Sequence, residues 1–382
     1  CQGWRGMNRA GGVLLHPTSL PSDFGIGDLG PSASKWIDWL AEAGCRLWQV
    51  LPLVPTGLDH SPYQGLSAFA GNELLISPYL LVEDGLLSKE DLSDIPRKPV
   101  EAINYPEARA LKLPLLDKAA HTFASQPPPK LRSRYEEFVQ SQVYWLEDYA
   151  LFMSLHRQHA GLSWIDWPSA LATRDATALK QAKETLASEI ELIKVQQFLF
   201  NDQWMRLKSR AQEKGILIIG DVPIFVAHHS ADVWAHQSLF HLDKNGRPLV
   251  VAGVPPDYFS KTGQLWGNPL YRWEAMQSDD YSWWVHRLKS LLRWVDVIRL
   301  DHFRGFESYW EVPAGADTAE TGRWVEGPRD RFFETLSGAL GQLPFIAEDL
   351  GTITPEVLDL RRRFNLPGMK VLQFGFEGGP SN

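Results

Sequence analysis

Short apolar runs recur along this chain, separated by stretches of helical period, and that alternation limits the fold more than any other feature. The runs are GVLLH (12–16), LWQVLPL (47–53), ILIIGDVPIF (216–225), VDVIRLD (295–301), PFIAED (344–349) and MKVLQF (369–374). Strands alternating with helices imply βα units and a parallel sheet. Between them, SASKWIDWLAEAG (32–44) has serine start signals and a glycine stop. SWWVHRLKSLLRW (282–294) sets Trp284, Leu288, Leu291, Leu292 and Val295 on one helical face. Two insertions break the rhythm within a single α/β domain spanning 1–382. One is a helix-rich block over 80–190, split by the proline-rich ASQPPPK (124–130). The other, 236–272, reads as a hairpin turning at DKNGRP, followed by a Pro/Gly loop. An open six-stranded sheet would satisfy the count. Polar residues at many strand exits favour a (β/α)8 TIM barrel with helical and loop insertions, incomplete at its C-terminus with about six of eight strands present.

The exits carry the chemistry. In RWVDVIRLDHFRGF (293–306), Arg299, Asp301, His302 and Arg304 crowd the end of a strand that is otherwise apolar. Charges there are costly to bury unless they are paired or used. Alternation puts Val297, Arg299 and Asp301 on one face and Ile298 and Leu300 on the other. Arg299 beside Asp301 is expected to lower the carboxylate's pKa and keep it ionised, as a nucleophile requires. PFIAEDLG repeats the logic one strand later, with Glu348 on the same face as Ile346 and in a setting suited to a general acid. Asp221 stands likewise at an earlier exit. One acid alone would be an ordinary capped or salt-bridged loop residue. Three at successive exits, beside aromatic loops, describe glycoside chemistry.

Composition narrows the alternatives. Of 382 residues, 44% are hydrophobic and 22% charged, as in ordinary globular chains. A net charge of −8 argues against nucleic acid as a partner. No apolar run is long enough for a membrane helix, and the N-terminus has no signal-like apolar core. Cys1 and Cys45 alone offer neither a disulfide framework nor a thiolate metal cluster. Of the 16 Trp, 18 Phe and 10 Tyr, about two thirds are expected to be ordinary core packing. Tyr63, Tyr258, Phe259 and Trp266 sit in polar loops, where rings make platforms for a ligand half apolar and half hydroxylated, such as a sugar. GIGDLG (25–30) matches a dinucleotide fingerprint but lacks its strand-turn-helix context and its distal acid, so it reads as a glycine-built loop. HHSADVWAH (228–236) holds metal-competent side chains, yet reads better as a loop and a helix capped by Ser230.

These residues carry a resemblance. LLHPTSLPSDFGIGDLG (14–30), SPYQGLSAFAGN (61–72), GDVPIFVAHHSADVW (220–234), GVPPDYFSKTGQLWGNPLYRW (253–273), VIRLDHFRGFESYWEVP (297–313), IAEDLGTITPEV (346–357) and LPGMKVLQFGF (366–376) resemble the amylomaltase family of 4-α-glucanotransferases, glycoside hydrolase family 77. The resemblance implies a retaining transglycosylase on a (β/α)8 barrel, with Asp301 as nucleophile and Glu348 as general acid/base. It sets Arg299 and His302 beside the donor site, Asp221 at its sugar, and Ser61 and Tyr63 along the cleft. Tyr258, Phe259 and Trp266 fall in a substrate-covering loop whose trimming should favour hydrolysis over transfer. Its partners would be α-1,4-glucans and maltooligosaccharides, with glucose as acceptor. No metal or organic cofactor is implied, and the expected location is cytoplasmic, or alternatively plastid.

The family pattern continues past Asn382 with further strands and a His-Asp motif bearing a third carboxylate. No such motif follows Glu348 here, and the chain opens on Cys1, with Met7 a later start. The expectation is an incomplete copy of the enzyme, with little transferase activity as it stands. An α-glucan hydrolase, and a non-catalytic glucan-binding fragment using the aromatic loops alone, are the alternative readings.

Overall fold

The computed structural model describes residues 9–57, 59–95, 102–257 and 260–376. Nine strands lie in these segments: β1 (Gly12–Leu14), β2 (Leu47–Gln49), β3 (Leu217–Pro223), β4 (Val250–Val254), β5 (Gln264–Pro269), β6 (Val297–Asp301), β7 (Ser308–Pro313), β8 (Arg323–Glu326) and β9 (Phe345–Ala347). Five form a parallel sheet in the order β1-β2-β3-β6-β9. Each neighbour is the next parallel strand in the chain, as in the wall of a (β/α)8 barrel. The expected sixth wall strand, 369–374, is not one. Its amide at Met369 donates to Asp349 Oδ1 at 2.7 Å, and the chain then turns into a 3-10 helix at Leu372–Phe376. An apolar alternating run becomes a strand only where a neighbouring edge takes its hydrogen bonds.

Helices cover this wall. Pro31–Glu42 begins one residue before the expected serine, with Pro31 in its first turn, and Gly44 at φ 74° ends it as expected. Ser282–Trp294 matches its expected span. Its buried residues are Trp283, Trp284, Arg287, Leu288 and Trp294, while Leu291 and Leu292 are only partly buried. The 27-residue helix Ala187–Glu213 buries Trp204, whose indole N–H donates to the Trp294 carbonyl at 2.9 Å. Two of its glutamines act as backbone surrogates: Gln197 exchanges hydrogen bonds with Gly71, and Gln203 with Ser77.

A second sheet, antiparallel in the order β5-β4-β7-β8, stands beside the wall. DKNGRP forms a tight turn, Asp243 N–H donating to the Arg247 carbonyl at 2.8 Å and Leu242 bridging Pro248. The longer hairpin is β4–β5, and β4 pairs on its other edge with β7. Sequence alternation identified neither β7 nor β8.

GIGDLG is a loop closed by a buried ion pair. Asp28 Oδ1 accepts the Gly30 N–H at 2.9 Å, and Oδ2 meets Lys112 Nζ at 3.2 Å. Lys112, fully buried on the helix Tyr105–Ser125, also donates to the Leu74 carbonyl at 2.6 Å. One ammonium thus ties the loop after β1, the 72–76 turn and that helix together. Removing one partner of a buried pair strands the other, at about 3–5 kcal/mol. Lys112→Ala is expected to lower unfolding free energy by about that amount in denaturant titration. A loss below about 1 kcal/mol, the range of an exposed pair, would contradict the account.

Candidate active site

The parallel register builds the site. Asp221 on β3 is the direct partner of Arg299 on β6, and Pro223 of Asp301. Neighbouring side chains in register share a face, so Asp221, Arg299 and Asp301 meet. Arg299 Nη1 lies 2.8 Å from both Asp221 oxygens, and Nη2 lies 2.8 Å from Asp301 Oδ1. The Tyr63 hydroxyl donates to Asp221 Oδ2 at 2.8 Å. Side-chain exposure separates the two acids: 1% for Asp221 and 27% for Asp301. Asp301 is thus the more exposed of the two, and Asp221 is covered by Tyr63 and Arg299.

Glu348 lies one residue beyond β9. Its Oε2 accepts the His302 N–H and its Oε1 the Leu350 N–H, both at 2.9 Å. His302 adopts the left-handed conformation at φ 53°, which aims that amide across to the neighbouring strand end. The His302 ring packs edge-on against Trp266, centroids 4.8 Å apart, and its Nε2 is buried without a partner. Ser61 caps the short turn of Tyr63, its Oγ accepting the Tyr63 N–H at 3.3 Å. Tyr258 and Phe259 lie outside the described residues.

Burial governs the protonation states. It pushes Asp301 above the ordinary aspartate range despite the lowering effect of Arg299. The expected lowering thus has the right sign for the Arg299 contribution but not for the sum. Burial also raises Asp221 to about 6, with Arg299 opposing and Asp301 adding, which leaves it ionised at neutral pH. Glu348 is raised by burial first and by Asp301, against its two backbone donors. Burial holds the His302 imidazole neutral, lowered to about 4, with Arg304 contributing. Burial opposes the Arg299 charge, yet Asp221 and Asp301 together hold it above its ordinary value.

Two residues absent from the sequence argument complete the frame. Gln64 Nε2 donates to Asn268 Oδ1 at 3.1 Å, and Asn268 Nδ2 donates to the Val226 carbonyl at 2.9 Å. The loop carrying Tyr63 is thereby bound to the end of β5 and to the loop after β3. Gln64 sits within the quoted SPYQ string, so position relative to Tyr63 was the available signal. Arg304, one of the charges crowding the β6 exit, instead binds the Thr352 carbonyl and Ser308 Oγ.

HHSADVWAH is structural in each of its parts. His228 Nε2 contacts the Gly246 carbonyl at 2.7 Å, and His229 Nε2 contacts His156 Nδ1 at 3.1 Å. Ser230 caps the helix Ala231–Ala235 as expected, and Asp232 Oδ2 accepts the Ala68 N–H at 2.7 Å. No group of three metal-ligating side chains occurs among the described residues.

Acids and rings converging at adjacent ends of a parallel barrel wall define a carbohydrate-active TIM-barrel class. Comparison with known proteins narrows this. The 4-alpha-glucanotransferase family, glycoside hydrolase family 77, matches residues 15–382. The Thermus thermophilus 4-alpha-glucanotransferase is 51% identical over 376 residues, 98% of this chain and 74% of its own length. The Solanum tuberosum chloroplastic/amyloplastic 4-alpha-glucanotransferase is 47% identical over 380 residues, 66% of its length. Amylomaltase from Streptococcus agalactiae, solved in complex with acarbose, superposes with a TM-score of 0.94 at 39% identity, covering 98% of this chain and 76% of that one. The chain belongs to the 4-alpha-glucanotransferase family.

The buried Asp232 gives this region a pH signature. Burial raises it from about 4 to about 6, against the Ala68 N–H and Arg287. A carboxyl whose folded pKa is raised binds its proton better in the folded state. Its contribution to stability is therefore complete below pH 4 and lost as pH rises through 6. Asp232→Asn keeps an acceptor for Ala68 and should flatten this part of the stability profile between pH 4 and 7, measured by denaturation midpoints. An unchanged slope would show that Asp232 does not titrate in that window.

Proposed function

We propose that Asp301 is the nucleophile and Glu348 the general acid/base of a retaining 4-α-glucanotransferase acting on α-1,4-glucans and maltooligosaccharides. The observation that carries this is the unequal environment of the two acids. Asp301, the more exposed of the arginine-bound pair, has a cation at 2.8 Å, whereas Glu348 is held by two backbone N–H groups. Glu348 protonates the leaving glycosidic oxygen while Asp301 attacks the anomeric carbon, giving a covalent glycosyl-enzyme. Glu348, now a carboxylate, takes the proton of an acceptor 4-hydroxyl, glucose or a maltooligosaccharide, as that oxygen displaces Asp301. Double displacement needs the two carboxyl groups about 5–5.5 Å apart around bound sugar.

The remaining residues position the sugar. Tyr63 and Trp266 offer ring faces, Ser61 shapes the cleft, and neutral His302 can donate to a hydroxyl without adding charge. Asp221 acts through Arg299 and Tyr63. Tyr258 and Phe259 complete the covering loop in this proposal. Transfer exceeds hydrolysis when the cover excludes water and the acceptor is held in place. No described helix is long and apolar enough to cross a membrane. We assign the activity to the cytoplasm, with the plastid as alternative.

Incubation of the full-length protein with maltotriose should yield a ladder of longer and shorter glucans. Glucose and maltose without longer products would favour the hydrolase, and saturable binding without turnover the glucan-binding reading. Glu348→Gln should slow turnover by about 10²–10⁴-fold. A slow glycosyl fluoride donor should leave a covalent label that peptide mass spectrometry finds on Asp301. A label on any other residue would overturn the assignment.

A further inference from the structure

Arg304 is the charge at the β6 exit that the proposed mechanism leaves without a task. It lies in the 3-10 turn Phe303–Phe306, three residues past Asp301, and is 7% exposed. Nη1 donates to the Thr352 carbonyl, and Nη2 donates to Ser308 Oγ at 3.2 Å. Both acceptors are neutral, and Nε is buried with no partner. The guanidinium carbon stands 3.9 Å from the centre of the Trp324 ring on β8, itself 42% exposed. Among the described residues, the only carboxylate attraction acting on it is that of Glu307, which accepts the Ser308 hydroxyl at 2.6 Å, and this does not offset the cost of burial. The arginine is therefore poorly compensated as a stabilising device.

Its partners explain the placement. Three bonds run from the turn after β6 to the turn after β9. His302 N–H meets Glu348 Oε2 at 2.9 Å, Phe303 N–H meets the Glu348 carbonyl at 3.1 Å, and Arg304 meets Thr352. The first two grip Glu348 itself. The third grips the far side of its turn, two residues past Leu350, whose N–H holds the other carboxylate oxygen at 2.9 Å. Through Ser308 and Trp324, Arg304 also fixes both turns to the antiparallel sheet. We propose that Arg304 is a positioning residue that sets the approach of Glu348 to Asp301, clamping the two catalytic turns together and backing them with Trp324.

This rests on the roles given to Asp301 and Glu348, and two donors separate the two levels. Maltotriose needs a proton on its leaving oxygen; α-maltosyl fluoride loses fluoride without one. Single-turnover cleavage of each is measured in the full-length protein for wild type, Glu348→Gln and Arg304→Lys. Lysine keeps the charge but cannot fork to two acceptors while lying flat on a ring. Arg304→Lys is expected to slow maltotriose cleavage by up to about 100-fold, the effect of a displacement of about 1 Å. Fluoride release and the KM for maltotriose should change little. Should Arg304→Lys fail to fold, Trp324→Leu removes only the stacking face and carries the same test, with a smaller loss of the same donor dependence. Equal losses on both donors, a loss confined to KM, or no loss would overturn the inference while Glu348→Gln still discriminates between donors. A Glu348→Gln variant that does not discriminate would overturn the acid assignment, and the inference with it.

Discussion

The Arg299 guanidinium between Asp221 and Asp301 is the contact on which the site depends. Without its charge, two carboxylates would face each other on one side of the wall, each paying for burial alone. The contact also fixes the β3–β6 register. A slip of one residue would send Asp221 to the opposite face and leave Arg299 with a single partner. The direct pairing of Asp221 with Arg299 in the strand register is therefore a folding constraint, and it shapes the proposed site. Tyr63, donating to the same Asp221, brings the loop after β2 under that control.

The second constraint is conformational. His302 holds a left-handed backbone, which costs a non-glycine residue about 1–2 kcal/mol. In that conformation its N–H reaches Glu348 Oε2 at 2.9 Å, a bond worth about 0.5–1.5 kcal/mol to a neutral carboxyl and about 1.5–3 kcal/mol to a carboxylate. The two terms roughly offset. The turn is thus retained at little net expense, with His302 and Leu350 each holding one Glu348 oxygen. Three hydrogen bonds join the turn after β6 to the turn after β9.

Much of this was legible in the sequence because parallel strands write their rules locally. Five of six wall strands, the faces of Arg299 and Asp301, and Ser230 as a cap all follow from alternation and cap chemistry. What failed depends on partners distant in the chain. Residues 369–374 alternate like a strand, but Asp349 captures the Met369 amide. β7 and β8 are short, and their pairing through Trp310 opposite Trp324 cannot be read from either run alone. The sign of the Asp301 shift was missed because burial, not the visible arginine, is the larger effect. Of the candidate sugar platforms, Tyr63 stands over Asp221 and Trp266 over His302, while Tyr258 and Phe259 lie outside the described residues.

Burial acts on both proposed catalytic acids in the same direction, so burial alone cannot assign their roles. The difference arises from what opposes it. Asp301 has a full cation at 2.8 Å, a contact that would be lost on protonation. Glu348 is opposed by two backbone N–H groups and by the charge of Arg299, while the anionic Asp301 nearby raises it further. Ionising Asp301 therefore favours the protonated form of Glu348, which is the state a retaining first step requires. In the proposed cycle, esterifying Asp301 with a sugar would remove its charge and with it the push on Glu348. That would favour a carboxylate at Glu348, the base that the proposed second step requires.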